Sequence, residues 1–383
     1  MSERVKIQPE LLQWAQQRAE LETADLCLKF PKYQEWLSGE TWPTFKQLEE
    51  FAAHVYVPLG YLLLPAPPEE SLSIPDFRTV TNRKVKRPSP HLLDTIHAAQ
   101  LRQSWMREFL IERRESPLTF IGSSKLGDSP GFVAMKIRRT LTLEPRWSRQ
   151  LHSWEEALRI LIQKIEEADV LVMINGVVEN NTHRPLDVEE FRGFALVDTH
   201  APLIFINGSD AKAAQMFTLI HELAHLWLGQ GGLSGFDDLL PSAHKVESFC
   251  NRVAAEFLVP EVELREVWGE IKGNKEPFDQ LARIFKVSPV VAARRTLDLK
   301  LISRQHYFDF YAEYLKQSAL QKARSKGGGN FYFTLGMRLG KRFPAAVYSA
   351  AKEGRLAFRE AYQLTGLRGA SYDRFGREFG FAI

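Results

Sequence analysis

The sequence predicts an α+β protein, mostly helical, in which one small sheet is followed at once by long helices. Three observations carry this. Most of the chain places apolar residues at helical spacing; only residues 169–208 hold short β-rich runs; and an alanine-rich helical pattern begins directly after the last of those runs. Four regions are expected: a helical bundle over 1–66, a linker and connector helices over 67–150, a sheet-and-helix domain over 151–265, and a helical region over 266–383.

Composition sets limits on the chemistry. A length of 383 residues suffices for two or three domains with cores of their own. With 44% hydrophobic and 25% charged residues, and Gly and Pro scattered rather than repeated, the balance excludes a disordered or fibrous chain. A net charge of +3 is too small to announce nucleic acid, so local clusters matter more than the total. Cys27 and Cys250 stand far apart with no CxxC, which argues against a disulfide scaffold or a thiolate zinc site and fits a reducing cytoplasm. The opening MSERVKIQPE has no apolar signal core, and no run approaches the ~18 apolar residues of a spanning helix. A cytoplasmic protein with no membrane partner is expected.

The elements follow in order. Leu11, Leu12, Ala15 and Ala19 make one helical stripe, Trp36 and Leu37 close a second before Gly39, and Phe45, Leu48, Phe51, Ala52 and Val55 make a third. Pro65, Pro67 and Pro68 mark a linker, because proline donates to neither helix nor sheet. TNRKVKRPSP (81–90) adds four basic residues and no acid before a connector helix with Leu93, Ile96, Trp105, Phe109 and Leu110. Strands are expected in DVLVMING (169–176), FRGFALVD (191–198) and APLIFING (201–208), each bounded by turn-forming residues. A helix from about Ala211 runs through FTLIHELAHLWL to the stop at Gly229, Gly231 and Gly232. A second, from about Ser242 to Leu258, carries Val246, Cys250, Val253, Ala254 and Phe257 on one face and ends at Pro260. LARIF and VVAARRTLDL form a helix-turn-helix pair across KVSP, and two or three more helices are expected around Gly327, Gly328 and Gly329.

The chemistry is concentrated in His221-Glu222-Leu223-Ala224-His225, an HExxH pattern. On a helix, positions i and i+4 share one face, so both imidazoles can reach one metal while the carboxylate between them points into the same cleft. Neutral imidazole suits Zn2+, and a catalytic site adds a third protein ligand while leaving one position open. Glu222 is then the base that takes a proton from water and passes it to a leaving amine. The apolar face of Met216, Leu219, Ile220, Leu223 and Trp227 can pack and leave the histidine face for a cleft. The extended HExxHxxGxxH form fails, since residue 228 is Leu and residue 231 is Gly, so the third ligand lies elsewhere. Glu247, 22 residues beyond His225, is favoured by its place early in the second helix, and Asn251 one turn on can hydrogen-bond a ligand histidine. His244, Asp237, Asp238 and Glu256 are the alternatives.

IFINGSD leading into FTLIHELAHLWLG, followed by VESFCNRVAAEFLVP, resembles the ImmA/IrrE-type metallopeptidases, closely over residues 170–260. DFRT (Asp76 to Thr79) and EEFRGF (Glu189 to Phe194) extend the likeness weakly toward longer members with an N-terminal XRE-type helix-turn-helix. The resemblance implies a zincin-like fold, His221, His225 and Glu247 as zinc ligands, and Glu222 as base. TADLCLKFPKYQEWLSGETWPTFKQLEEFA likewise resembles an XRE repressor fold through Trp36, Gly39, Pro43, Leu48 and Ala52. A short helix near Pro31 would lay Lys32, Tyr33 and Gln34 toward a major groove, although Glu35, Glu40, Glu49 and Glu50 crowd the bundle. Arg294 and Arg295, with Lys300, belong to a pair read as structural, and the six basic residues of 321–344, beside Phe331, Tyr332 and Phe333, fit nucleic acid or an acidic protein partner.

Two functions follow. The first is a zinc-dependent endopeptidase whose partner is a specific cytosolic protein substrate, a repressor or antitoxin-like regulator as the resemblance implies. The second is a DNA-binding regulator or antitoxin of a toxin-antitoxin pair that acts by binding, its metal site structural or idle.

Overall fold

The computed structural model describes residues 4–70, 72–76, 88–234, 245–322 and 336–381. The basic residues of TNRKVKRPSP, the phenylalanine, arginine and threonine of DFRT, Asp237, Asp238, His244, the Gly327–Gly329 run and Phe331–Phe333 lie outside the described residues. The chain divides into two compact units, one drawn from Met1–Ser73 and Lys84–Asp94, the other from Ile74–Arg83 and Thr95–Ile383. Among the described residues no helix is long and apolar enough to cross a membrane.

The first unit holds α1 (Pro9–Arg18), α2 (Thr23–Lys29), α3 (Tyr33–Ser38) and α4 (Phe45–His54), with a 3-10 turn at Leu59–Leu63. Gly39 ends α3 in the left-handed region at φ 76°, which costs a glycine nothing. Thr44 starts α4 with a capping box, its hydroxyl accepting from Gln47 N–H while the Gln47 side chain accepts from Thr44 N–H. The apolar stripes then close one core of Leu11, Leu12, Leu26, Trp36, Leu48 and Phe51. Tyr33 belongs to that core. Its side chain is fully buried, it stacks on Phe51 at 5.5 Å, and its hydroxyl donates to Gln16 Oε1 at 2.9 Å. The expectation that Tyr33 reaches a DNA groove is therefore corrected, since a residue committed to the core has no free edge to offer; Lys32 and Gln34 beside it are exposed.

The second unit is built on a mixed sheet in the order β1 (Leu171–Asn175), β5 (Leu203–Asn207), β4 (Gly193–Leu196), β6 (Gly232–Ser234), with β2 (Val177–Val178) and β3 (Asn181–Pro185) forming a separate hairpin. β1 and β5 pair in parallel from Leu171↔Leu203 to Asn175↔Asn207, while β4 is antiparallel to both β5 and β6. Fully buried runs such as LVMIN and LIFIN fit strands covered on both faces. The three expected strands are present; β6 and the hairpin were not anticipated.

α5 (Pro90–Glu112) and α6 (Pro130–Thr140) precede α7 (Trp154–Glu167) in the chain; α7 enters β1, and α8 (Lys212–Leu228) leaves β5. Every residue of α8 from Gln215 to Leu228 is buried, so this helix is the spine of the unit. Against it and its surroundings pack α6 and α9 (Lys245–Leu258), followed in the chain by α10 (Glu261–Ile271), α11 (Pro277–Phe285), α12 (Pro289–Asp298) and α13 (Arg304–Lys322). One core runs from Ile174, Leu219 and Phe257 through Phe278 and Phe285 to Tyr307. The expected boundaries near 151 and 265 fall inside this unit, because the core is continuous across them. The final helices span Arg342–Lys352, Phe358–Thr365 and Ala370–Glu378.

Candidate metal centre

The geometry begins with the termination of α8. Gly229 sits at φ 67°, its N–H donates to the Leu226 carbonyl at 3.1 Å, and Gln230 N–H donates to the His225 carbonyl at 3.1 Å, which together make a Schellman cap. The same turn carries the Gln230 carbonyl back to the helix, where it accepts from His225 Nδ1 at 2.8 Å. A carbonyl can only accept, so Nδ1 bears the proton and Nε2 presents its lone pair. Asn251 does the equivalent for the other ring, its Oδ1 lying 2.8 Å from His221 Nδ1. Both Nε2 atoms therefore face inward from one side of α8.

Glu247 and Asn251 stand one turn apart on α9, so the face that orients His221 also presents a carboxylate. His221 Nε2 and His225 Nε2 are 3.1 Å apart, and each lies 3.1 Å from a Glu247 oxygen. Two ring lone pairs and a carboxylate thus converge, a set that repels itself unless a cation lies among it. Tetrahedral zinc with bonds of about 2.0–2.1 Å separates its ligands by about 3.3 Å, close to the spacing found. The three side chains are almost wholly buried, at 0%, 0% and 3% exposure, and they form the His-His-Glu group able to hold a metal among the described residues.

The electrostatics point the same way. Burial works to lower the pKa of His225, but Cys250, Glu247 and Glu222 outweigh it and hold the imidazole well above its ordinary value. Burial likewise works to raise that of Glu247, but the two imidazoles hold it well below the usual carboxylate range. Both shifts report negative charge gathered around the imidazoles, which either a proton on the ring or a bound cation neutralises.

Glu222 is fully buried one residue from His221. Opposite it lies Gly193 of β4, where a Cβ would fall 2.8 Å from Thr218 Cγ2, 2.9 Å from the Phe205 carbonyl and 3.3 Å from Glu222 Oε1. Glycine at this position lets the strand approach α8 and leaves room for the carboxylate. Sequence reasoning missed Gly193 and the Gln230 carbonyl. A strand glycine that allows close approach is a known signal; a backbone carbonyl carries none.

The other expected residues are also placed. Glu256 is not with the histidines: it pairs with the buried Arg295 and accepts from Glu261 N–H. Arg294 pairs with Asp298 one turn away. The basic run of 321–344 is no continuous cationic face where it is described, because Arg338 is buried and Arg342 pairs with Asp169.

Residues 165–297 match the family described as the IrrE N-terminal-like domain, Peptidase_M78, which covers β1 through α12 and supports an ImmA/IrrE-type peptidase domain there. Residues 339–378 match a domain of unknown function, DUF8813. No curated protein sequence matches the chain.

Proposed function

We propose that the chain is a zinc-dependent endopeptidase that cleaves a specific cytosolic regulatory protein, a repressor or an antitoxin-like regulator. The observation that carries this reading is the convergence of His221 Nε2, His225 Nε2 and the Glu247 carboxylate at 3.1 Å beside a buried Glu222. The substrate class rests on the likeness of residues 165–297 to the IrrE-type peptidases.

His221, His225 and Glu247 would hold the ion, and zinc held there supplies Lewis acidity toward a peptide carbonyl and toward water. The chain's own residues do the rest. Asn251 and the Gln230 carbonyl fix the ring orientations, which keeps both Nε2 lone pairs directed inward. Glu222 takes the proton of the attacking water and delivers it to the departing amine nitrogen. Its burial strengthens its electrostatic action relative to a carboxylate in water.

The test is a comparison of wild type with Glu222→Gln, each incubated with zinc and a proteome of the source cell, and new N-termini read by mass spectrometry. One or a few proteins cut at a single site by wild type alone supports the reading. New termini absent from both, with zinc bound to both, would leave a binding protein in its place.

A further inference from the structure

Far from the histidines in sequence, the second unit contains a small cavity of about 10 Å³ lined by Thr95, Arg102, Asn175, Glu179, Asn180 and Arg338. Two of these are guanidinium groups more than nine-tenths buried, Arg102 at 7% exposure and Arg338 at 9%. Burying one cation already requires compensation, and burying two beside one cavity requires more.

The compensation within the lining is incomplete. Arg102 Nε donates to the Leu364 carbonyl at 2.9 Å, and its Nη2 lies 3.9 Å from Glu179 Oε1, beyond a direct hydrogen bond. The Glu179 side chain is 54% exposed, so water screens it. Arg338 Nη1 donates to Asn180 Oδ1 at 3.0 Å, a neutral acceptor, and Arg338 Nε is buried without an acceptor. Other oxygens in the lining are already engaged: Asn175 Oδ1 accepts from Val177 N–H, and Thr365 Oγ1 from Leu367 N–H. Burial depresses the pKa of both arginines, and only Arg102 has a carboxylate working the other way. Guanidinium groups do not deprotonate in response, so the deficit is one of negative charge.

The geometry points to a binding site for a single monatomic anion, chloride or bromide, held between Arg102 and Arg338. The cavity has room for about one water-sized group, so the anion whose size comes nearest to it is a single atom rather than a phosphate, a sulfate or an organic acid. Water fits the space but brings no charge. The anion would fasten three parts of the unit: helix Pro90–Glu112 through Arg102, the β2–β3 turn through Asn180, and the C-terminal segment through Arg338. The network already joins them, since Asn180 Nδ2 donates to the Gly366 carbonyl at 3.0 Å. The C-terminal helices are then held against the sheet partly by a bound ion, independently of any metal at His221 and His225.

The test uses the full chain. Thermal unfolding is measured in sodium chloride and in sodium gluconate at one ionic strength, for wild type and Arg338→Gln. Chloride should raise the wild-type Tm by about 2–4 °C along a saturating curve, and Arg338→Gln should lose that shift. No chloride-specific shift in wild type, or an equal shift in the variant, overturns the proposal. Should Arg338→Gln fail to fold, a wild-type crystal grown in sodium bromide decides: an anomalous peak between the two guanidinium groups supports the site, and its absence overturns it.

Discussion

The candidate metal centre and the N-terminal bundle both bury polar side chains almost completely, yet they do so in opposite ways. At Tyr33 the hydroxyl finds acceptors in its own core, Gln16 Oε1 and the Leu12 carbonyl. At His221, His225 and Glu247 the groups that meet are all acceptors, and the donors of both rings are turned outward to Asn251 and Gln230. Burial alone therefore does not mark function. An imbalance does: an excess of acceptors calls for a cation, and the excess of donors at Arg102 and Arg338 calls for an anion.

That contrast can be broken first at Glu222. Glu222→Gln should lower proteolysis by about 10²–10⁴-fold while zinc content stays near wild type, measured by quantifying cleaved product against time. A variant retaining full activity would remove Glu222 from the mechanism. The next effect concerns ring orientation. Asn251→Ala should weaken zinc affinity by about 10–100-fold, read by competition with a chromophoric chelator; unchanged affinity would mean that His221 needs no partner at Nδ1.

Smaller effects sharpen the comparison through packing. Gly193→Ala places a methyl against Thr218 Cγ2 and the Phe205 carbonyl, so unfolding should show a loss of about 1–3 kcal/mol. Tyr33→Phe removes the hydroxyl from a satisfied core position and should cost about 1 kcal/mol, with zinc content untouched. An altered zinc content in Tyr33→Phe would contradict the assignment of that residue to packing alone.

Legibility followed periodicity. The HExxH helix and its partner were readable because positions i and i+4 recur on one face, and that spacing unites His221 with His225 and Glu247 with Asn251. The β-rich runs were readable from their apolar, β-branched content. β6 was not, since Gly232–Ser234 is three residues with no pattern of its own and exists by pairing with β4. The hairpin strand Asn181–Pro185 is polar and mostly exposed, which reads as a loop. Tyr33 looked like a groove residue because a six-residue helix is too short to show which face is buried. Arg338 looked like part of a basic surface because composition counts charge without locating it, and only packing puts that guanidinium inside.

The most direct test of the central claim is the zinc content of purified wild type beside Glu247→Ala, measured by elemental analysis after dialysis against a weak chelator. Close to one zinc per chain in wild type, and little or none in the variant, is the result expected of a His-His-Glu centre. Zinc held equally by both would contradict it, and so would a wild type that takes up none when zinc is supplied.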